Sequence, residues 1–252
     1  MNVRVRLIAC GFALWFATVA AQAQSVAEQY LFQAANAERA QHGLPALRWD
    51  ATLYHAAATH AAEMAKRQSI SHQYAGEADL SARGKAAGAR FSTIAENVAM
   101  APTAIYIHDA WMKSPGHRAN ILDSQVDSVG ISVLSRNGQL YAVQDFDRSV
   151  ASLTFDEQER RVSSLIGVAA NVEMLPASDN WRQTCLMSTG YAGAQRPWFV
   201  MRYTAADLSR LPEQLKTELQ TGKFHHAAVG ACSTHANQQA FTSYSIAVLL
   251  YP

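Results

Sequence analysis

The stretch "HDAWMKSPGHRANIL", residues 108–122, predicts the end of one helix and the start of the next. Ser114 is a favourable N-cap, and Pro115 suits the first helical position because no partner is needed there for an N–H. His117 then falls at the third helical position, where free backbone N–H groups and the helix dipole disfavour a positive charge. The ring should therefore be neutral, as a metal ligand or general base must be. The plainer alternative is a histidine that only hydrogen-bonds within the turn.

Helices are also predicted before this stretch. Ser25 and Glu28 have the spacing of a capping box, and Asp50 can cap a second helix through "ATLYHAAATHAAEMAKRQS". Asp79 can cap a short third helix, and "TIAENVAM" is expected to be extended or irregular. The amino-terminal part of the chain is therefore rich in helices.

Three histidines on these helices are less suited to a shared site. His55 and His60 are five residues apart on the second helix, so about 140° separates them and we place both at the surface. His108 lies on the helix that leads to Trp111, and we expect it on a partly exposed helix surface or at the rim of a cavity. Trp111 is expected in the core.

Strands follow the opening stretch. "VGISVLS" and "QLYAVQDF" are joined by "RNG", and Asn137-Gly138 is a strong signal for a tight hairpin. For residues 24–150 we therefore predict helices that flank a sheet. Residues 151–252 predict a helix followed by a small β-α-β-β unit, with the polar "STHANQQAFT" as a hairpin loop. We find no internal repeat in the sequence.

Composition narrows the class of partner. The 252 residues are 49% hydrophobic, and 21 Lys and Arg against 20 Asp and Glu leave a net charge of +1. The chain is therefore globular, and no basic surface for nucleic acid or for an anionic membrane is indicated. A partner must be recognised by a local site. The oligomeric state is left open.

The first residues predict export. Residues 1–23 combine an Arg-bearing start, an apolar stretch and small residues at Ala21 and Ala23, which is typical of a secretory signal peptide. A lipoprotein box at "LIAC" is the lesser alternative. We expect a soluble protein of the periplasm or the medium. There, Cys185 and Cys232 would form one disulfide, with two buried thiols as the alternative.

Several blocks of the chain resemble the signatures of the CAP superfamily, which groups cysteine-rich secretory, antigen 5 and pathogenesis-related-1 proteins. The blocks are "AENVAM", "HDAWMKSPGHRANIL", "SVGISV" and "YAVQDF", in this order. Upstream, "NAERAQHGLPALRWDATLYHAAATHAAEMA" and "SH" resemble the first two helices of that family. The resemblance covers roughly residues 27–147.

This resemblance implies an α-β-α sandwich whose large central cavity contains two histidines and two acidic residues. Matched by position, His72 and His117 are the histidines and Glu96 is one acidic residue. Glu77 fits the other acidic position best, with Asp79 as the alternative because it can serve as a helix cap. The predicted fold class is therefore α+β, with a CAP-like sandwich over residues 24–150 and a small α+β region over residues 151–252.

Two imidazoles can hold a zinc-like divalent ion while carboxylates fix their tautomers. We therefore expect His72 and His117 to be metal ligands, against the alternative of a His/Glu hydrogen-bond network that only braces the cavity. The resemblance implies a ligand-binding or interaction module of the cell envelope or extracellular space, whose ligand is hydrophobic or belongs to the envelope. One alternative is a metal-dependent hydrolase with Glu96 or Glu77 as its base. Another is a purely structural or host-interaction protein.

Overall fold

The computed structural model describes residues 24–233 and 241–252, so the predicted signal peptide and residues 234–240 of the predicted hairpin loop lie outside the described residues. The helices are α1 (Val26–Gln41), α2 (Ala51–Arg67), α3 (Leu80–Ala86), α4 (Ala104–Lys113), α5 (Pro115–Ile121), α6 (Phe155–Ala169), α7 (Asp179–Leu186) and α8 (Glu213–Leu219). The strands are β1 (Arg48–Trp49), β2 (Phe91–Ala101), β3 (Ser128–Arg136), β4 (Gln139–Ser149), β5 (Glu173–Met174), β6 (Phe199–Ala205), β7 (His226–Cys232) and β8 (Tyr244–Tyr251).

The helices begin where local hydrogen bonds favour them. Ser25 and Glu28 make both bonds of a capping box at α1, Asp50 accepts from two N–H groups of α2, and Asp79 accepts from the Ala82 N–H at α3. Ser114 behaves differently. It occupies the predicted N-cap position of α5, but its side chain makes no capping bond. The backbone and the proline at the first position therefore set the start of α5.

The first sheet has the strand order β1-β3-β4-β2. Its centre is the predicted hairpin of β3 and β4, whose turn places Asn137 and Gly138 at φ of 52° and 74°. Both residues of the turn are left-handed, as a two-residue hairpin that matches the twist of its strands requires. β2 adds antiparallel to β4, and β1 pairs parallel to β3.

Helices cover both faces of this sheet. α2 packs against β3 and β4, with Ala61 and Met64 against Val143. α1, α4 and α5 lie on the other face, where Trp111 is fully buried, as predicted, and donates to the Val98 carbonyl at 3.2 Å. The predicted α-β-α sandwich is confirmed.

The second sheet has the order β5-β7-β8-β6, and it contains the predicted β-α-β-β unit as β6, α8, β7 and β8. α7 packs on one face, while α6 and α8 contribute to the core on the other. Cys185 of α7 is bonded to Cys232 of β7 across a Cα–Cα distance of 5.8 Å, which confirms the predicted disulfide. No helix of the described residues is long and apolar enough to cross a membrane.

The order of the second sheet is that of the first, strand for strand, if β5, β6, β7 and β8 replace β1, β2, β3 and β4. The parallel and antiparallel pairings also correspond. The absence of a repeat in the sequence therefore does not extend to the topology, because strand order depends on long-range pairing that residue similarity need not preserve.

Candidate functional site

His72 and His117 come together from separate parts of the chain. His72 lies in the loop after α2, and His117 is the third residue of α5. Their ring centroids are 6.3 Å apart. The His72 side chain is 61% exposed, whereas His117 is partly buried, so the pair opens to solvent on one side.

Glu96 fixes the orientation of His72. Its Oε1 lies 2.8 Å from Nδ1 of His72, and the carboxylate is almost completely buried in the middle of β2. An ionised carboxylate can only accept a hydrogen bond, so Nδ1 of His72 carries the hydrogen. Nε2 of His72 is then the nitrogen that remains for a ligand. The hydrogen bond to Glu96 raises the pKa of His72, whereas burial acts in the opposite direction.

Arg83 of α3 compensates the buried charge of Glu96. Its Nη2 donates to Oε2 of Glu96, and its Nη1 donates to the carbonyls of His72 and Ala78 at 3.2 and 3.1 Å. One guanidinium therefore ties α3, the His72 loop and β2 together. Sequence reasoning missed Arg83, since an arginine within a short helix gives no signal of burial.

His117 has the environment of a neutral ring, for a reason that differs from the predicted one. Burial lowers its pKa, and the neighbouring His72 lowers it further. Its backbone carbonyl accepts from Nδ2 of Asn97 at 3.0 Å. Asn120 donates to the Glu96 carbonyl and to Oδ1 of Asn97 at 3.1 and 2.9 Å. These amides hold α5 against β2.

His60 is fully buried, and its predicted surface position is wrong. Nδ1 lies 2.6 Å from Oε1 of Glu77, and Nε2 lies 2.7 Å from the Ser71 carbonyl. Both ring nitrogens thus lie within hydrogen-bond distance of oxygen atoms, so the ring is fixed between Glu77 and the loop after α2. The signal was available, because His60 stands three residues after Ala57 and four before Met64 on the buried stripe of α2.

Glu77 and Asp79 have different roles. Glu77 also accepts from the Tyr74 N–H at 3.0 Å, and its Oε1 lies 3.9 Å from Nη1 of Arg83. Asp79 accepts from the Ala82 N–H at 2.8 Å and from the Ser81 hydroxyl at 2.7 Å at the start of α3. The structure therefore places Glu77 among the histidines and Asp79 at a helix cap.

Asp145 was not foreseen. It is opposite Glu96 in the β2–β4 register and is fully buried, and neither carboxylate oxygen accepts a hydrogen bond among the described residues. Burial, with a further contribution from Glu96, raises the pKa of Asp145 well above the ordinary value for an aspartate. An acidic residue within the apolar strand "YAVQDF" was the available signal. We call this whole cluster the polar centre: His60, His72, Glu77, Arg83, Glu96, His117 and Asp145.

Part of the chain matches a known protein family. The sequence model of the cysteine-rich secretory protein family, CAP, matches residues 32–146, which include every member of the polar centre. Residues 32–146 are a CAP domain.

Two relatives and one solved structure illustrate the extent of the similarity. The chain is 30% identical over 131 residues to the uncharacterized protein YkwD and 28% identical over 114 residues to the uncharacterized membrane protein YlbC, both of Bacillus subtilis (strain 168). These matches cover 50% and 44% of this chain but only 49% and 32% of the relatives. An extracellular protein containing an SCP domain from Bacillus anthracis is 27% identical, with a TM-score of 0.46 over 49% of this chain and 40% of that one.

The residues of the polar centre do not line any of the four cavities described below. Cavities at four places in the described chain are lined by other residues, and His72 is open to solvent. The expectation of a large cavity around the histidines therefore gains no support from these cavities. The arrangement is an exposed pair of rings above buried carboxylates.

Within the polar centre, two imidazole rings are open to a metal ion. Nε2 of His72 and the ring of His117 make no hydrogen bond among the described residues, whereas Glu77 and Glu96 are engaged with other members of the centre. Within residues 24–233 and 241–252, no group of three or more His, Cys, Asp and Glu side chains is arranged to hold a metal ion. The donors left open to a metal ion here are therefore two imidazoles, one of them with a carboxylate behind it.

His108 lies apart from the polar centre. It is buried, which contradicts the expected partial exposure, and it contacts Tyr30 edge to face. Its Nε2 is 3.7 Å from Oε1 of Glu38 of α1. Because α4 and α1 cover the face of the sheet opposite α2, His108 belongs to the packing of those helices.

Proposed function

We propose that the CAP domain is an exported ligand-binding module whose polar centre holds a divalent cation, such as zinc, between His72 and His117. The observation that carries this proposal is the approach of the two rings to 6.3 Å, with Nδ1 of one ring committed to a buried carboxylate. A carboxylate behind a histidine orients the ring and increases the basicity of the other nitrogen, an arrangement common at metal sites. When bound, such an ion would supply a Lewis-acidic position at the surface for an anionic or carbonyl group of the ligand.

Export to the periplasm or medium is supported by the signal-like residues 1–23 and by the disulfide of Cys185 and Cys232. A hydrophobic or envelope ligand has a candidate position close by. A cavity of about 370 Å³ lies along α4 and α5 and is lined in part by Met112, Pro115 and Leu122. The same helix α5 carries His117, but the helical repeat turns His117 away from Pro115 and Leu122, so this cavity would be a second ligand position separate from the metal position.

The hydrolase alternative has less support, because both candidate bases already have partners. Glu96 accepts from Arg83 and His72, and Glu77 accepts from His60 and Tyr74. A general base needs a carboxylate that can reach the proton of a water molecule. The binding function makes no such demand.

The test is zinc titration by isothermal calorimetry on the whole chain, comparing wild type with His72→Ala, His117→Ala and Glu96→Gln. We expect one zinc ion per chain, with at least about a hundredfold loss of affinity in each histidine variant and roughly tenfold in Glu96→Gln. His55→Ala is the matched control, since His55 is an exposed histidine of α2 outside the centre. Zinc affinity that is equal in wild type and His72→Ala, or undetectable in both, contradicts the proposal. The polar centre would then be a hydrogen-bond network that only braces the fold.

A further inference from the structure

The two halves of the chain share more than strand order. Each begins with a helix opened by a capping box, Ser25 with Glu28 at α1 and Thr154 with Glu157 at α6. In each, the order helix, short strand, helix, long strand, helix and two antiparallel strands follows, apart from α3 and α5, which occur only in the first half of the described chain. α7 takes the position of α2, and α8 takes that of α4.

A close helix–strand contact recurs at the same point of both sheets. A Cβ added to Gly130 of β3 would lie 2.0 Å from the Tyr54 nitrogen in α2, and one added to Gly230 of β7 would lie 2.0 Å from the Trp181 oxygen in α7. Only glycine permits these distances. Each glycine follows a valine, in "SVGIS" and "AVGAC", so a short sequence similarity accompanies the contact.

These glycines also set a common register. Gly130 pairs with Asp145, which pairs with Glu96. Gly230 pairs with Ala247, which pairs with Arg202. Arg202 thus stands at the position of Glu96, on the face covered by α7 as Glu96 is on the face covered by α2. The position of the polar centre is occupied in the second half by a guanidinium.

Arg202 lines the largest cavity among those found, about 710 Å³, at the carboxyl end of α7. Its Nε donates to the Thr184 carbonyl at 2.7 Å and its Nη2 donates to the Gly190 carbonyl at 2.5 Å. Two of the five N–H groups of a guanidinium are thereby used, and the plane is fixed. No carboxylate within the described residues forms an ion pair with Arg202.

The rest of the lining suits a ligand with a polar end and an apolar body. Leu186 and Met187 supply apolar surface, and the hydroxyl groups of Ser188, Thr204 and Ser245 make no hydrogen bond among the described residues. Burial lowers the pKa of Arg202, with no acidic neighbour to oppose it. An anion in the cavity would supply the negatively charged partner that the Arg202 guanidinium lacks.

We propose that residues 151–252 are a diverged second copy of the CAP fold, and that its cavity binds a carboxylate or phosphate group on a partly apolar molecule through Arg202. The two halves then bind ligands of opposite charge at equivalent positions. The first takes a cation between imidazoles, and the second takes an anion on a guanidinium held by backbone carbonyls.

The test uses benzoate, phenyl phosphate and the uncharged analogue benzamide as probes on the whole chain. Binding is followed by NMR at the Nε–H signal of Arg202. We expect saturable shifts with benzoate or phenyl phosphate, and at least about tenfold weaker binding of benzamide, because charged hydrogen bonds are the stronger ones. Whichever anion binds more tightly identifies the group recognised.

Variants separate this site from a merely structural arginine. Arg202→Gln removes the charge, but it also removes two bonds that brace the fold, so Thr204→Glu serves as the second variant. Thr204 is exposed at the cavity, and a carboxylate there should weaken anion binding by at least about tenfold through repulsion. Arg210→Gln, at an exposed arginine outside the cavity, should leave binding unchanged. No saturable binding to wild type, or equal binding to wild type and Thr204→Glu, overturns the proposal.

Discussion

The first sheet buries acidic side chains at positions where the second sheet buries apolar ones. On β4, Asp145 and Asp147 face α2, whereas the corresponding residues of β8, Ala247 and Leu249, form part of the apolar core beneath α7. Both sheets nevertheless keep one strand order and one glycine contact. The difference teaches that backbone contacts maintain this fold, while the chemistry of the face under the helix is free to change. Buried carboxyls are costly, so their presence on β4 under α2, where β8 has Ala247 and Leu249, indicates a site.

The largest effect should come from the shared glycine contact. Gly130→Ala would place Cβ against the backbone of α2, and Gly230→Ala would do the same at α7. Because backbone cannot rotate away as a side chain can, we expect each to lower the free energy of unfolding by about 5 kcal/mol or more. Amide hydrogen exchange measures the loss in each sheet separately.

Gly116→Ala is the matched control, since nothing lies near a Cβ at that position of α5. Each glycine variant should destabilise its own sheet first. Near-native exchange protection of β7 in Gly230→Ala would show that the two contacts are not equivalent, and would weaken the case for a second copy.

The features that could be predicted from the sequence are those that depend on interactions between residues close together in the chain. Helix starts at Asp50 and Asp79 and the turn at Asn137 depend on neighbours in the chain, so the sequence was sufficient. The meeting of His72 and His117 followed from the family resemblance. The place of Arg83 in the centre depends on α3 folding over β2, and no local pattern encodes that contact.

The second half was the harder case for the same reason. Its three long strands were predicted, but β5 and the order of the strands were not, because order depends on which strands pair across long separations. Val229-Gly230 matches Val129-Gly130, yet a two-residue match is too short to indicate a repeat. Only the register showed that Arg202 stands where Glu96 does.

A smaller effect is expected at the buried ion pair of the first half. Arg83→Met leaves the Glu96 carboxylate buried without its guanidinium, which should cost about 4 kcal/mol of unfolding free energy in urea denaturation. The double variant Arg83→Met/Glu96→Leu removes both charges of the pair and should recover most of that loss. A double variant as unstable as Arg83→Met would mean that the pair holds the fold instead of serving the site.

The disulfide should matter next, and in the second half alone. Cys185→Ala/Cys232→Ala opens a link across 47 residues and should lower the free energy of unfolding by about 3 kcal/mol. The first half has no cysteine in its described residues, so exchange from β3 and β4 should be unchanged. Equal loss of protection in both sheets would show that the halves unfold as one cooperative body.

The smallest effect tests the buried acids through pH. Burial raises the pKa of Asp147 to about 7, with Asp50 and Asp127 adding to the shift and the Ser149 hydrogen bond and Arg48 opposing it. Between the unfolded value of about 3.9 and the folded value, the folded state binds the proton more tightly, so stability falls as pH rises through this window.

Asp147→Asn removes this titration while keeping an oxygen for the Ser149 hydroxyl. Relaxation and water penetration reduce the full linkage energy, and we expect the variant to be more stable than wild type by about 2 kcal/mol at pH 8 and equal to it at pH 4. Leu249 holds the same position in the second sheet, so the pH dependence removed by this variant should appear in exchange from β4 and not from β8. The opposite outcome is that both sheets of the wild type lose stability together over this pH range and Asp147→Asn changes neither. The pH response would then arise outside the face under α2, and the contrast between Asp147 and Leu249 would have no energetic consequence.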